Sequence, residues 1–341
     1  MLQQFSKIFL ALFIFAGVFF SCTKDDDEPT PDTTPTDTVV VVPPDTTGTG
    51  DTTTTPDPEP EPEPTAITVT GSDYEVYQKI GSKATFKTLN NLQIGEFPAS
   101  GENQVWDLRA YETTGTVVES TPNLPVPDST IFTSATFITT QQSTFIPAFT
   151  FSHFYEVSEE GYYIIGNKVD AGVADLGNGT TLTAPGNEDI FEPKELIFKF
   201  PMNYNDVTEQ TAVYREDYSL TAPAFGITNA PVQRQLTFPK KSEVLGWGKV
   251  ILPEGAISDT TEVLLVKNTS TSITNYFLNG NTAPNALLSA LNLTEGSRGT
   301  AIYYYFMSKE YGIIASFTFA TDRSGDPIFP AAFARYVETK E

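Results

Sequence analysis

Residues 301–320, Ala-Ile-Tyr-Tyr-Tyr-Phe-Met-Ser-Lys-Glu-Tyr-Gly-Ile-Ile-Ala-Ser-Phe-Thr-Phe-Ala, decide the fold class of this chain. Aromatic and β-branched residues of this kind favour extended strands. The polar stretch Ser308–Gly312 separates two such runs, and Gly312 can supply the positive φ that a tight turn needs. The stretch therefore predicts a β-hairpin with strands over Tyr303–Met307 and Ile313–Phe317.

Residues 66–341 have a similar composition throughout. Short runs rich in Thr, Tyr, Phe, Val and Ile are broken by Gly, Pro, Asn and Asp, which is typical of many short strands. A second hairpin is predicted, with strands over Phe154–Val157 and Tyr162–Ile165. Glu75–Ile80 is among the other predicted strands. The segment Asp170–Glu192 is expected to be a loop at one end of the fold.

These patterns predict an all-β protein, specifically an antiparallel β-sandwich. The body over residues 66–341 is long enough for one large sandwich or for two packed small ones that divide near residue 200. At most one short helix is expected, because only Asn285–Leu293 has a helical pattern, entered through Pro284.

The first 21 residues have the pattern of a secretory signal peptide. Lys7 supplies positive charge, and residues 8–20 form an apolar run. A membrane-spanning helix needs about 20 apolar residues, so the length of this run argues against the alternative of a permanent membrane helix and favours a cleaved signal. A second alternative is an ordinary secreted protein that is cut at a small residue.

Cys22 is the only cysteine of the chain and directly follows Phe19-Phe20-Ser21. This arrangement resembles the lipidation site of bacterial lipoproteins, which implies a lipid on Cys22 and a membrane as partner. The residues that follow are similar to the export tag of surface lipoproteins in the Bacteroidota, namely Lys24, Asp25, Asp26, Asp27 and Glu28. The resemblance implies an outer-membrane protein exposed at the cell surface.

Two stretches of the body resemble uncharacterised secreted β proteins of the same bacteria. They are Asn103–Leu108 and Gly246–Gly255, which contain the two tryptophans of the chain. This resemblance implies a fold and a habitat, and it implies no activity.

Residues 22–65 comprise the lipidated cysteine and a tether rich in Thr, Pro, Asp and Glu. Such a segment cannot bury enough apolar area to offset its ordering entropy, so it is predicted to be disordered. Its recurring Asp-Thr-Thr and Asp-Thr-Val tripeptides resemble the O-glycosylation acceptor of the same bacteria, which implies sugar on Thr33, Thr38, Thr46 and Thr52. The alternative is chance repetition in a segment rich in these residues.

The charge of the chain bears on its partners. The 341 residues have a formal net charge of −23. Binding to nucleic acid through phosphate neutralisation needs a basic footprint, so no nucleic-acid partner is expected. An acidic surface is otherwise typical of a soluble protein.

The chain offers few groups for catalysis or metal binding. His153 is the only histidine, which excludes a zinc site of the usual His/Cys kind, and it is predicted to be an ordinary strand residue. No cofactor is expected apart from calcium, for which Asp322 and Asp326 are weak candidates. A polar hairpin turn is the alternative at these aspartates. A glycosidase needs two carboxylates facing each other across a cleft, and the sequence singles out no such pair.

Aromatic rings are the remaining candidates for ligand contact, because an exposed ring can stack on the apolar face of a sugar. Strand alternation predicts that Trp106 belongs to the core. Trp247 is flanked by glycines, which leaves both a core position and an exposed stacking position open. Tyr303 and Tyr305 share one face of their strand, and that face is covered either by core or by a ligand.

Three functions follow from these patterns. The favoured hypothesis is a surface-anchored, non-catalytic binding module for a glycan or another surface ligand. The first alternative is a structural protein of the envelope. The second alternative is a glycoside-processing enzyme that acts through carboxylates, although no catalytic residue can be named.

Overall fold

The computed structural model describes residues 65–88, 96–109, 111, 117–143, 146, 148–322, 325–331 and 333–340. The described residues belong to one compact unit. Their strands are β1 (Ala84–Thr88), β2 (Gly101–Asp107), β3 (Val117–Glu119), β4 (Phe137–Gln142), β5 (Thr150–Ser158), β6 (Gly161–Val169), β7 (Gly172–Gly177), β8 (Thr180–Ala184), β9 (Glu188–Lys199), β10 (Val207–Ala222), β11 (Ile227–Ile251), β12 (Thr260–Leu278), β13 (Asn281–Thr282), β14 (Ser297–Ser308), β15 (Gly312–Ala320) and β16 (Phe333–Lys340). The helices are α1 (Gly71–Glu75), α2 (Asn285–Ala290) and a 3₁₀ turn over Pro223–Phe225.

Both predicted hairpins are confirmed. β14 pairs antiparallel with β15, and the pairing runs as far as Ser308 opposite Gly312. Gly312 has a φ of 65°, which glycine adopts without steric cost. β5 and β6 form the second hairpin, which closes with Ser158 opposite Gly161.

The strands form two sheets. The larger has the order β3-β1-β16-β15-β14-β12-β11-β10-β8-β7, with β13 attached to β12 and β2 attached to β11. The smaller has the order β4-β5-β6-β9. The pairing is antiparallel throughout the described strands except between β2 and β11. The predicted all-β, sandwich-like fold class is confirmed.

Alternation along β12 shows how the layers pack. Val263 and Leu265 belong to an apolar cluster that also contains Trp106 of β2. Leu264 and Val266 belong to a second cluster that contains Tyr155 of β5 in the smaller sheet. Successive side chains of a strand point to opposite faces, so β12 is covered on both sides. This explains why all four aliphatic residues are fully buried.

The predicted strand at Glu75–Ile80 is wrong, because α1 occupies Gly71–Glu75. The Thr70 hydroxyl accepts a hydrogen bond from the Asp73 amide, and the Asp73 carboxylate accepts one from the Thr70 amide. This capping box satisfies two amides that a helix start otherwise leaves unpaired. The helix predicted at Asn285–Leu293 is confirmed as α2, so the described part of the body has two short α-helices rather than at most one.

The expected loop over Asp170–Glu192 is also wrong, since it contains β7, β8 and the beginning of β9. The turn between β7 and β8 is formed by Gly177, Asn178 and Gly179, which all have positive φ. The larger sheet draws strands from both sides of residue 200, so a boundary there would cut through that sheet.

Candidate functional site

Trp247 lies in the core, where 8% of its surface is exposed. It belongs to the same apolar cluster as Val69 and Met202, two residues whose backbones are hydrogen-bonded to each other. The glycines that flank Trp247 do not expose the indole; they make room for a neighbouring strand. A Cβ atom on Gly248 would lie 2.0 Å from the carbonyl oxygen of Gln104, so glycine allows β2 to approach β11. Of the two positions that the sequence left open for Trp247, the structure shows the core position, which contradicts a ligand-stacking role for the indole.

Tyr303 and Tyr305 do not present an open aromatic surface for ligand stacking either. The rings of Tyr303 and Tyr305 are stacked, with centroids 6.0 Å apart and an interplanar angle of 5°. Tyr305 also meets the ring of Phe198 in the smaller sheet edge-on at 5.6 Å. The face that they share thus lies between the sheets. Trp106 is buried as predicted, and its indole N–H donates to the Ala99 carbonyl at 2.9 Å.

Asp322 and Asp326 close a tight turn. The Asp322 amide donates to the Asp326 carbonyl at 2.8 Å, and the Asp326 amide donates to Asp322 Oδ1 at 3.0 Å. This is the polar turn that the sequence allowed as the alternative. Among the residues that the structure describes, no three His, Cys, Asp or Glu side chains are grouped so that they could hold a metal ion. Calcium binding at this turn stays a prediction.

The remaining predicted sites precede residue 65. Cys22, the acidic export tag at residues 24–28 and the four tether threonines all lie outside the described residues.

A shallow groove of about 660 Å³ lies where the end of β11, the start of β12, the β14–β15 turn and α1 meet. We call it the charged groove, because two lysines, three carboxylates, three hydroxyls and one aliphatic side chain line it. These residues are Lys249, Lys309, Asp73, Glu262, Glu310, Thr260, Thr261, Ser308 and Ile67.

Strand pairing places these groups side by side. Lys249 of β11 lies directly opposite Glu262 of β12, and both residues are exposed. The hydroxyls of Thr261 and Ser308 are 3.4 Å apart. The Ser308 hydroxyl also accepts the Glu310 amide at 3.1 Å, which orders the β14–β15 turn. The groove therefore presents hydrogen-bond donors and acceptors from three strands.

Helix α1 forms one wall of the charged groove and is fixed at both sides. A Cβ atom on Gly71 would lie 2.2 Å from the carbonyl oxygen of Ser158, so this glycine permits close docking on the β5–β6 turn. The hydroxyl of Tyr77, which follows the helix, donates to the Lys309 carbonyl at 2.9 Å. The Lys309 ammonium lies 4.0 Å from the Asp73 carboxylate. The groove is therefore preformed.

The charged groove was missed by sequence reasoning. Its residues come from four segments between Ile67 and Glu310, and no local pattern connects them. The sequence placed Lys249 and Glu262 in two different predicted strands. Only the β11–β12 register shows that these two residues lie opposite each other.

The carboxyl groups with raised pKa values lie elsewhere. Burial, together with the nearby carboxylates of Asp217 and Glu216, raises the pKa of Asp189 to about 6. Burial also raises the pKa of Glu195. A general acid needs both a raised pKa and contact with its substrate. Neither Asp189 nor Glu195 lines the charged groove, so neither is placed to act as a general acid there.

A polar layer lies between the sheets. Arg234 Nη1 donates to Glu216 Oε2 at 3.0 Å, and the Tyr218 hydroxyl donates to the same oxygen at 3.2 Å. On the smaller sheet, burial lowers the pKa of His153 to about 4, so the imidazole is neutral at pH 7. His153 lies in β5 as predicted, and its Nε2 is 3.0 Å from the side-chain nitrogen of Gln141.

Comparisons with protein-family models, with curated proteins and with solved structures gave no match for this chain. Within the described part of the chain, no helix is long and apolar enough to cross a membrane.

Proposed function

We propose that this chain is a lipid-anchored protein of the outer cell surface whose β-sandwich body binds a glycan without cleaving it. The anchor is proposed from the short apolar N-terminal run, from Cys22 and from the acidic residues behind it. In this proposal the tether of residues 22–65 links the lipid to the body, and polymers are the ligands available at a cell surface.

The observation that carries the binding role is the composition of the charged groove. Hydroxyls, carboxylates and ammonium groups line its walls, and a sugar ring offers hydroxyls that pair with all three. Recognition through hydrogen bonds replaces the ring stacking that the sequence suggested for Trp247. The groove is shallow and open, which suits a segment of a polymer better than an enclosed small molecule.

A non-catalytic role is favoured over the enzyme. The Asp73 carboxylate accepts a hydrogen bond in the capping box with Thr70 and lies near the Lys309 ammonium. Its role is therefore to stabilise α1. The carboxyls whose pKa values are raised, Asp189 and Glu195, are half-buried and buried respectively, and neither lines the charged groove.

Removing the charges of the groove should weaken binding without unfolding the body. We expect the Lys249→Ala/Glu262→Ala double variant to bind its glycan at least about tenfold more weakly, equivalent to roughly 1.4 kcal/mol. Loss of an exposed pair should change stability by less than about 1 kcal/mol. The measurement is binding of the full chain to a glycan panel, followed by titration of any ligand found.

The matched control is Lys83→Ala/Glu119→Ala, which removes another exposed Lys–Glu pair at the β1–β3 edge. It should bind like the wild type. Equal weakening by both variants would assign the effect to net charge and contradict a site in the groove. If the folded wild type binds nothing on a wide panel, the structural envelope role is preferred, and product release from a panel member would favour the enzyme.

The anchor has its own test. Bacteria that express the full chain and are fed a labelled fatty acid should incorporate the label into the wild type and not into Cys22→Ala. The thiol is the acceptor in the proposed reaction, and alanine has no equivalent atom. Ser21→Ala, which keeps a small residue before the cysteine, is the control and should remain labelled. Label on the Cys22→Ala variant would overturn the anchor.

A further inference from the structure

Three buried side chains of complementary chemistry lie on the facing sides of the two sheets, and none of them lines the charged groove. Lys240 of β11, Asn268 of β12 and Glu195 of β9 are 8%, 1% and 5% exposed. Lys240 lies opposite Ser270, and Asn268 is two residues from Ser270 on the same face of the sheet. Lys240 and Asn268 are therefore diagonal cross-strand neighbours, a separation that a long side chain can bridge.

Glu195 reaches this pair from the smaller sheet. Its carboxyl interacts electrostatically with the Lys240 amine and with the Tyr303 hydroxyl. Tyr303 lies opposite Asn268 on the side away from β11. Asn268 thus lies on the strand between the two groups with which Glu195 interacts, so Glu195 faces this part of the larger sheet.

The amide of Asn268 is an anomaly in this interior. Neither its Nδ2 nor its Oδ1 atom has a hydrogen-bond partner. Buried polar groups are normally hydrogen-bonded, and an orphaned one costs stability. The amide carbon of Asn268 is an electrophile, the Lys240 amine is a nucleophile and the Glu195 carboxyl is a proton donor. The three residues therefore supply the groups that an amide-forming reaction needs.

We propose that Lys240 and Asn268 join spontaneously in an intramolecular isopeptide bond, with Glu195 transferring the protons. The unprotonated Nζ of Lys240 attacks Cγ of Asn268, while the Glu195 carboxyl donates its proton to the amide oxygen. Glu195 then accepts a proton from Nζ and passes it to Nδ2, and the proton on the oxygen returns to Glu195 as the carbonyl re-forms. The Nζ–Cγ bond forms, the Cγ–Nδ2 bond breaks and ammonia leaves. The reaction is redox-neutral and needs no cofactor.

The surroundings favour each part of this reaction. Burial lowers the pKa of Lys240, which increases the fraction of the amine that is a nucleophile. Burial raises the pKa of Glu195, which keeps a proton available for the amide oxygen. Exclusion of water protects the intermediate from hydrolysis, and fixed strands hold the reacting atoms together.

The bond would give this protein a covalent cross-link, which it cannot obtain from a disulfide. The chain has one cysteine, so it cannot form an intramolecular disulfide. A link between residues 240 and 268 closes a covalent loop and restricts the unfolded chain in the way that a disulfide does.

The test is peptide mapping of the purified, folded full chain. Trypsin does not cut after an acylated lysine, so a linked protein should yield a branched peptide that joins residues 235–241 to residues 268–298. Its mass should equal the sum of the two linear peptides less one ammonia. Recovery of the two regions only as separate linear peptides from folded wild type would overturn the proposal.

Variants assign the roles. Lys240→Arg and Asn268→Ala should each abolish the branched peptide, and Glu195→Gln should do so while keeping similar side-chain volume. Lys241→Arg and Asn167→Ala are the matched controls and should keep it. Lys241 is the neighbouring lysine, and Asn167 is another buried amide without a hydrogen-bond partner. A fully linked Glu195→Gln variant would contradict the proton-transfer role. Because wild type alone decides whether the bond exists, a variant that misfolds leaves the test intact.

Discussion

Replacing Trp247 with alanine is expected to lower the free energy of unfolding by about 3–5 kcal/mol. The indole is buried in the cluster between the sheets, together with Leu264 and Met307 of the neighbouring strands. Truncation removes the largest side chain of this region and leaves a cavity that the paired strands cannot collapse to fill. Chemical denaturation of the full chain, followed by intrinsic fluorescence or circular dichroism, measures the change.

Two comparisons make this result specific. Trp247→Phe should lose less stability, because a smaller cavity remains. Lys249→Ala, two residues along the same strand face but exposed, should change stability by less than about 0.5 kcal/mol. A Trp247→Ala protein that unfolds like the wild type and has lost glycan binding would restore the indole as a ligand contact.

The second large effect is expected at Arg234. Arg234→Met should lower the free energy of unfolding by about 3–5 kcal/mol, because it leaves the Glu216 carboxylate buried without its guanidinium. The side chains of Arg234 and Glu216 are 19% and 3% exposed, and their charged atoms are 3.0 Å apart. Water cannot replace the lost partner of a group so deeply buried. Urea denaturation at pH 7 measures the loss.

The paired substitution separates the orphaned charge from lost packing. Glu216→Leu/Arg234→Met removes both charges at similar volume and should recover most of the stability, since apolar replacements of buried ion pairs are often neutral. A double variant that is no more stable than Arg234→Met would show that packing, rather than an uncompensated carboxylate, accounts for the effect.

The hairpins were predictable because their determinants are local. Gly312 permits the turn, and the aromatic residues on either side favour strands. Helix α1 was missed because Tyr74, Val76 and Tyr77 favour strand, although the capping box of Thr70 and Asp73 was present in the sequence. In so short a segment, docking of Gly71 against Ser158 outweighs residue preference.

The candidate site was beyond sequence reasoning for a different reason. Glycines beside Trp247 left an exposed ring open as one alternative, yet they admit the backbone of β2, a strand more than 130 residues earlier in the chain. The charged groove likewise depends on the register of β11 and β12 and on the docking of α1. A pattern of alternating residues shows which side chains share a face, and it does not show what covers that face.

By itself, the sequence determined the all-β class, both hairpins, helix α2 and the core position of Trp106, because turn chemistry and strand alternation act over a few residues. Tertiary structure alone decided that Trp247 is buried, that Tyr305 faces the smaller sheet and that Lys249 and Glu262 line a groove. It also decided that Lys240 and Asn268 become diagonal cross-strand neighbours and that Glu195 lies in the facing sheet. These outcomes depend on which strands become neighbours, and that choice is made by the burial of apolar surface across the whole body rather than by any local stretch.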